Sequence, residues 1–197
     1  LTLNNPNGGE VLNGCSNKTV SWTVGGGSGS YRVEYSLDSG ATWNFLTTRS
    51  STSYSWSIPA KVSSQKALVR VTDASRSLMD MSNSIFTIIP NQDIIVNTPN
   101  GGESFIAGTT QPVSWVDNNL SRFRVYYSSN GGSSYSYISS STSSNSRNWS
   151  IPNNPGSNYK VKVEDYYNSC KYDESDSVFT VLPPIPYLTL TYPNGAN

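Results

Sequence analysis

The sequence repeats itself, and the repeat sets what it can fold into. Pro6-Asn7-Gly8-Gly9-Glu10 recurs as Pro99-Asn100-Gly101-Gly102-Glu103, 93 positions later. Five further stretches recur in the same order at offsets of 92 or 93. TVSWTV around Trp22 answers PVSWVD around Trp115, and YRVEYSLDSGATW (Tyr31 to Trp43) answers FRVYYSSNGGSSY (Phe123 to Tyr135). YSWSIP (Tyr54 to Pro59) matches RNWSIP, LVRVTD (Leu68 to Asp73) matches KVKVED, and SIFTI (Ser84 to Ile88) matches SVFTV. Pro193-Asn194-Gly195 begins the pattern a third time. Ordered matches at a constant offset mark a tandem duplication, so each copy has to bury a core of its own.

Each copy alternates apolar and polar residues. Val20, Trp22 and Val24 alternate with Ser21 and Thr23, Tyr31, Val33 and Tyr35 with Arg32 and Glu34, and Val161 and Val163 with Lys160, Lys162 and Glu164. A period of two is that of half-buried strands, and no window shows a helical period. Seven strands per copy are expected: the two sides of PNGGE counted as one, then those around Trp22, Val33, Phe45, Trp56, Val69 and Phe86. Gly, Asn and Ser clusters separate them at intervals of about ten residues, the spacing of a β-sandwich. The expected fold class is all-β, with seven-stranded sandwiches arranged end to end over residues 1–90 and 91–184. Residues 185–197 would be a linker and the first strand of a third repeat. Trp22, Trp56, Trp115 and Trp149 recur in register and are assigned to the cores.

Two of the repeated motifs have a local physical reading. In PNGGE, Pro6 and Pro99 fix φ and donate nothing to a ladder, while Gly8, Gly9, Gly101 and Gly102 tolerate positive φ. The motif is therefore expected to be a kink at which the first strand leaves one sheet for the other, with Glu10 and Glu103 capping backbone N–H groups. SLDSGATW and its copy SSNGGSSY fit S-x-D-x-G-x-T-W, the Asp-box, a hairpin fastener. Asp38 or Asn130 would accept backbone N–H bonds within the turn, Gly40 or Gly132 would supply the left-handed residue, and Trp43 or Tyr135 would pack over it. Asn130 and Tyr135 depart from the pattern and put the second box, though not the second fold, in question.

The ordered set PNGGE, S-W, Asp-box, Y-x-W-x-I-P, V-x-V-x-D and S-x-F-T-I resembles the Ig-like/fibronectin-III-like repeats of secreted and surface proteins of Bacteroidetes. It is also similar to the Ser/Thr-rich module of GPI-anchored fungal cell-wall proteins. The resemblance covers both copies. It implies an Ig-like sandwich in a long chain exported by type IX secretion, placed as a spacer beside hydrolases or within adhesins, and it brings no catalytic residue. On this reading the triplets at Asn17, Asn119 and Asn148 that fit N-glycosylation are accidental, and Asp176-Ser177-Val178 fits a bacterial O-glycosylation triplet.

Composition closes off several kinds of chemistry. Thirteen Lys and Arg balance thirteen Asp and Glu, so the basic footprint of a nucleic-acid binder is missing. The surface is instead rich in hydroxyls and amides, as extracellular β proteins often are. The chain contains no His, which removes Ser-His and Cys-His pairs and the commonest general base. No apolar run is long enough to cross a membrane, no signal peptide is visible, and a chain that starts and stops in mid-pattern is expected to be a piece of a longer, processed protein. Gly25-Gly26-Gly27 precedes a strand, so it cannot cradle a phosphate at a helix N-terminus. No cofactor is expected. Asp173, Glu174 and Asp176 form the densest acidic run, a candidate for Ca²⁺ against the alternative of a solvated loop balanced by Lys171.

Two cysteines stand 155 positions apart. Cys15 follows the first strand of copy one and Cys170 lies in the last loop of copy two. In an end-to-end array those loops face the same junction, so an interdomain disulfide is expected, with two free thiols as the alternative. Ile89 to Asp93 leaves a short linker, and Pro183-Pro184-Ile185-Pro186 favours extended polyproline geometry. Among the aromatics, Tyr126, Tyr137, Tyr166 and Tyr167 have no evident place inside, and Tyr126 shares an outward phase with Arg122 and Arg124. They are candidates for contact with polysaccharide or cell-surface glycan. The expected function is a non-catalytic spacer or adhesion module, outside the cell or on its surface, whose partners are neighbouring domains of its own chain. A carbohydrate-binding accessory to a hydrolase comes second. A filament subunit, self-assembling through the strand YLTLTYPNG, comes third.

Overall fold

The computed structural model describes residues 1–26 and 29–186, and every regular element in them is a β-strand. Backbone contacts divide the chain into Leu1–Gln92 and Asp93–Asn197. Of the expected start of a third repeat, only Ile185 and Pro186 fall among the described residues. No described helix is long and apolar enough to cross a membrane.

Unit 1 runs β1 (Thr2–Asn5), β2 (Val11–Asn13), β3 (Asn17–Thr23), β4 (Tyr31–Ser36), β5 (Asn44–Arg49), β6 (Ser53–Ser57), β7 (Ser64–Asp73), β8 (Leu78–Met81) and β9 (Phe86–Ile89). Unit 2 repeats the series as β10 (Ile94–Thr98), β11 (Ser104–Ile106), β12 (Thr110–Asp117), β13 (Phe123–Ser128), β14 (Ser136–Thr142), β15 (Ser146–Ser150), β16 (Gly156–Asp165), β17 (Tyr172–Glu174) and β18 (Phe179–Leu182). In each unit a three-stranded sheet, β1-β3-β6 or β10-β12-β15, faces a larger one ordered β2-β9-β7-β4-β5 or β11-β18-β16-β13-β14. The short β8 and β17 pair with β7 and β16. Each unit is an Ig-like β-sandwich.

The alternation read in the sequence becomes the core. Val20, Trp22, Tyr31, Val33, Val69, Val71 and Phe86 are buried in unit 1, while Val113, Trp115, Phe123, Val125, Val161, Val163 and Phe179 fill the same positions in unit 2. Packing geometry is repeated along with identity. Trp22 meets Tyr31 edge-on at 5.6 Å, Trp115 meets Phe123 edge-on at 5.2 Å, and both interplanar angles are 69°. Truncating either Trp to Ala at such a site costs about 3–5 kcal/mol.

Nine strands form in each unit where seven were expected, because a single crossing splits two of them. PNGGE divides the first strand. β1 pairs antiparallel with β3 in the small sheet, whereas β2 pairs parallel with β9 in the large one, so the chain changes sheets across the motif. Its partner is a second repeated run, Asp80-Met81-Ser82-Asn83-Ser84, which recurs as Asp173-Glu174-Ser175-Asp176-Ser177. That run interrupts the strand along the edge of β7: β8 pairs with Arg70 to Asp73, β9 with Ser64 to Ala67, and the break between them receives PNGGE.

The crossing is held by side chains that replace a sheet ladder. The buried Ser82 hydroxyl donates to Pro6 O at 3.0 Å and accepts from Val69 N at 3.0 Å. Asn7 Oδ1 accepts from Asn83 N at 2.8 Å, and Asp80 Oδ2 accepts from Leu3 N at 2.7 Å. Glu10 folds back to accept from Asn7 N at 2.9 Å and Gly8 N at 2.8 Å. Unit 2 repeats each bond with Ser175, Asn100, Asp173 and Glu103. Burial raises the pKa of Glu10, but the N–H donors of Asn7 and Gly8 and the charge of Lys18 outweigh it, so the net shift is downward. Gly8 has φ +124° and lies so close to Ser84 that a Cβ would stand 2.5 Å from the serine Cβ; Gly101 repeats this against Ser177. Gly9 has φ +80° with nothing within 4 Å of a Cβ.

The two glycines should therefore respond differently to alanine. Gly9→Ala carries only the left-handed strain of about 1–2 kcal/mol. Gly8→Ala adds overpacking of about 1–3 kcal/mol more. Equal destabilisation of the two variants in urea unfolding would refute the close approach.

Candidate functional site on the second unit

Outward-facing residues of the large sheet are where the two units differ most. In unit 1 the cross-strand row Met81, Arg70, Glu34, Phe45 crosses β8, β7, β4 and β5. The matching row in unit 2 is Glu174, Lys162, Tyr126, Tyr137. The next row replaces Met79, Thr72 and Arg32 by Tyr172, Glu164 and Arg124. Each unit buries one acid on this face. Glu34 on β4 takes Arg32 and Arg70, both at 2.8 Å. Glu164 on the neighbouring strand β16 takes Arg124 and Lys162, both at 3.1 Å. Burial alone would raise the Glu34 pKa, but the two guanidiniums outweigh it and hold the carboxyl below its ordinary value.

Moving the acid from β4 to β16 frees position 126 for tyrosine, and an aromatic cluster forms around it. Tyr126 stacks on Tyr137 with centroids 4.7 Å apart and donates its hydroxyl to Glu164 at 3.3 Å. The Lys162 ammonium sits over Tyr126, Tyr135 and Tyr172 at 4.7, 5.1 and 5.5 Å, a three-ring cage for an internal cation. Tyr135 donates to Glu174, which also pairs with Lys160 at 3.7 Å. Arg124 and Arg122 lie over Tyr166 at 4.4 and 4.7 Å, and Tyr166 meets Tyr167 edge-on at 5.2 Å. Burial, reinforced by a neighbouring carboxylate, raises the pKa of the Tyr126 and Tyr135 phenols, so both stay protonated donors at neutral pH.

The four tyrosines singled out in the sequence thus belong to one connected network, Tyr137–Tyr126–Glu164–Arg124–Tyr166–Tyr167. Tyr137 and Tyr167 present 59% and 71% of their surface to solvent. Sequence reading missed Lys162 and Glu164 at its centre. Their signal was the V-x-V-x-D motif, in which Arg70 and Thr72 become Lys162 and Glu164 at constant register.

The other candidate residues have local partners. Asp173, Glu174 and Asp176 lie on β17 and just beyond it, and they point apart: Asp173 to Val96 N, Glu174 to Tyr135 and Lys160, Asp176 to Asn100 Nδ2. Among the described residues no three acidic, His or Cys side chains converge on a metal-sized site. Cys15 occupies a turn with φ 63° and donates its N–H to Ile58 O, while the N–H of Cys170 is donated to Asn168 Oδ1 at 3.1 Å. Neither is a free thiol. A cavity of about 420 Å³ in unit 2, lined by Ile106, Ala107, Gly108, Thr109, Pro184 and Ile185, has no ionisable side chain in its wall.

Both hairpin boxes are formed. In the first, Ser36 Oγ donates to Asp38 Oδ1 and accepts from Gly40 N, while Thr42 donates its N–H to Oδ1 at 2.8 Å and its hydroxyl to Oδ2 at 2.6 Å. In the second, Asn130 Oδ1 accepts from Ser134 N at 3.0 Å, and the last bond reverses: Asn130 Nδ2 donates to Ser134 Oγ at 2.9 Å. Gly40 and Gly132 have φ 89° and 93°, and the guanidinium of Arg70 covers Trp43 at 4.2 Å.

No protein-family model and no curated protein matches the chain. Solved structures similar to it are tandem Ig-like and fibronectin-III-like domains. The fibronectin(III)-like modules of Clostridium thermocellum CbhA are 12% identical, with 91% of this chain and 92% of that chain covered and a TM-score of 0.30. A chimeric titin Z1Z2-Z1Z2 tandem is 14% identical, with 87% and 94% covered and a TM-score of 0.35. The FN1-FN3 domains of chicken CNTN1 are 16% identical, with 88% and 64% covered and a TM-score of 0.29. Likeness at this level carries no functional argument.

The difference between Asp38 and Asn130 has a measurable pH signature. Hydrogen bonds from Thr42, first its hydroxyl and then its N–H, lower the Asp38 pKa to about 2. An unfolded aspartate titrates near about 3.9. The Asp38 contribution is therefore complete above that value and lost as pH falls through about 2. Asp38→Asn should reproduce the box of unit 2 and flatten the fall in melting temperature between about pH 4 and pH 2. An unchanged slope in thermal melts would exclude the carboxylate as its source.

Proposed function

We propose that this chain is a non-catalytic extracellular module, a tandem spacer and adhesion segment of a larger secreted or cell-surface protein. One observation carries the reading: the polar side chains that recur in register are engaged in holding backbone. Glu10, Asp80, Ser82 and Asp38 and their counterparts satisfy N–H and C=O groups at the sheet crossing and the hairpin. Such chemistry supports an architectural part more than a reaction. Absence of His from the sequence agrees with it. The two units, taken as independently folding domains, carry tension along the chain, and Cys15 and Cys170 pair with each other. Export by type IX secretion in Bacteroidetes is the cellular setting that the repeat motifs support.

A second reading, an accessory carbohydrate-binding role, is favoured by the exposed rings of Tyr137 and Tyr167 beside hydroxyl-rich strands. The two roles are compatible in one chain.

Single-molecule pulling from the termini tests the spacer. The reduced chain should unfold in two separate steps, each lengthening it by about 300 Å at roughly 3.3–3.6 Å per residue. A single step would overturn independent domains. In the oxidised chain the disulfide should shunt load past residues 16–169 and abolish both steps. Two full steps without reductant, or two titratable thiols, would overturn the pairing.

A further inference from the structure

We infer that the outer face of the large sheet of unit 2 binds an acidic polysaccharide, a chain of uronate-type sugars, with the Tyr137 ring as stacking platform and Arg122 as the carboxylate-binding cation. The inference rests on the carbohydrate-binding reading and adds the chemical class of the ligand. Its first support is an internal comparison. At matched register unit 1 carries Glu34, Phe45, Ala74, Met79 and Met81 where unit 2 carries Tyr126, Tyr137, Tyr166, Tyr172 and Glu174. Both sheets form, so the fold itself does not demand the tyrosines.

Charge supplies the second support. Arg122, Arg124, Lys160 and Lys162 face Glu164 and Glu174, four cations against two carboxylates. Arg124 and Lys162 are committed to Glu164, and Lys160 to Glu174. Arg122 is exposed, and among the described residues no carboxylate pairs with it; its Nε donates to Ser141 Oγ at 2.6 Å and its guanidinium rests on Tyr166. That leaves a positioned planar cation whose remaining N–H groups fit a carboxylate.

Spacing supplies the third. Arg122 and Tyr126 stand four residues apart in an extended segment, about 13 Å at strand rise. Tyr137 lies directly across from Tyr126 on β14. Ring and cation are therefore set along a line suited to an extended polymer more than to a single sugar. A modest cationic surplus on a chain of zero net charge also fits spaced carboxylates better than the dense phosphates of a nucleic acid.

The test is affinity electrophoresis and calorimetry of the whole chain with polygalacturonate and alginate, set beside neutral xylan and cellulose and a single-stranded oligonucleotide. Binding to the polyuronates is expected, weakening as salt rises from about 0.1 to 0.5 M. Tyr137→Ala and Arg122→Gln should each weaken it about tenfold, a 1.4 kcal/mol change in binding. Tyr137→Phe should retain it, which guards against a variant that merely misfolds, and Phe45→Ala on unit 1 should change nothing. Binding to xylan or cellulose alone would overturn the inference and leave the carbohydrate reading standing. Binding to none of the polysaccharides would overturn both. Preference for the oligonucleotide, or polyuronate binding indifferent to both substitutions, would overturn the assignment of this face.

Discussion

Everything in this fold hangs on a crossing made twice, where PNGGE passes over D-x-S-x-S. A strand that changes sheets leaves a gap in two ladders, and backbone groups in the gap need partners if they are buried. Here side chains about 76 residues away in sequence fill it: the Ser82 hydroxyl bridges Pro6 O and Val69 N, and the Asp80 carboxylate takes the Leu3 N–H. Closing the crossing brings the first strand against the last and so closes the sandwich. Because each unit owns a complete crossing, each owns a complete core, and the two hydrophobic clusters share no residue.

Duplication provides an internal control on what the sandwich requires. The core tryptophans, the crossing and both hairpin boxes are kept in the two copies, although buried Ala67 becomes Tyr159 in the second core, with Asn130 substituting for Asp38 by reversing a single hydrogen bond. The outward face is not kept. Moving the buried acid by one strand, from Glu34 to Glu164, preserved a carboxylate between two cations and gave the neighbouring position to Tyr126. Tyr137 and Tyr172 join it where unit 1 has Phe45 and Met79, while Tyr135 under Lys162 repeats an arrangement unit 1 already has in Trp43 under Arg70.

Much of this was legible in the sequence, because period-two alternation and repetition act together: Trp22 and Trp115 could be placed inside before any coordinates. The kink at PNGGE was legible because Pro and Gly have few physical readings. What stayed hidden was its partner. Leu78 to Met81 shows no alternation, since β8 exposes most of its side chains, so periodicity had nothing to report. Ser82 and Ser175 resembled ordinary loop serines; only their recurrence with Asp80 and Asp173 at the PNGGE offset distinguishes them. The aromatic face was half legible. Outward phase pointed to Tyr126, but the link from Tyr126 through Glu164 and Arg124 to Tyr166 depends on cross-strand register, which one chain's sequence does not display.

The clamp at the crossing also bears on chemical ageing. Asn-Gly dipeptides are prone to deamidation, in which the glycine nitrogen loses its proton and attacks the asparagine side-chain carbonyl to close a succinimide ring. At Asn7-Gly8 that nitrogen's proton is held by the Glu10 carboxylate, and the side-chain oxygen is anchored by Asn83 N. Asn100-Gly101 is restrained the same way by Glu103 and Asp176 N, and at Asn130-Gly131 the glycine N–H is donated to Asn158 O. The hydrogen bonds that let a strand change sheets thus also shield the Asn-Gly pairs at both crossings from succinimide closure.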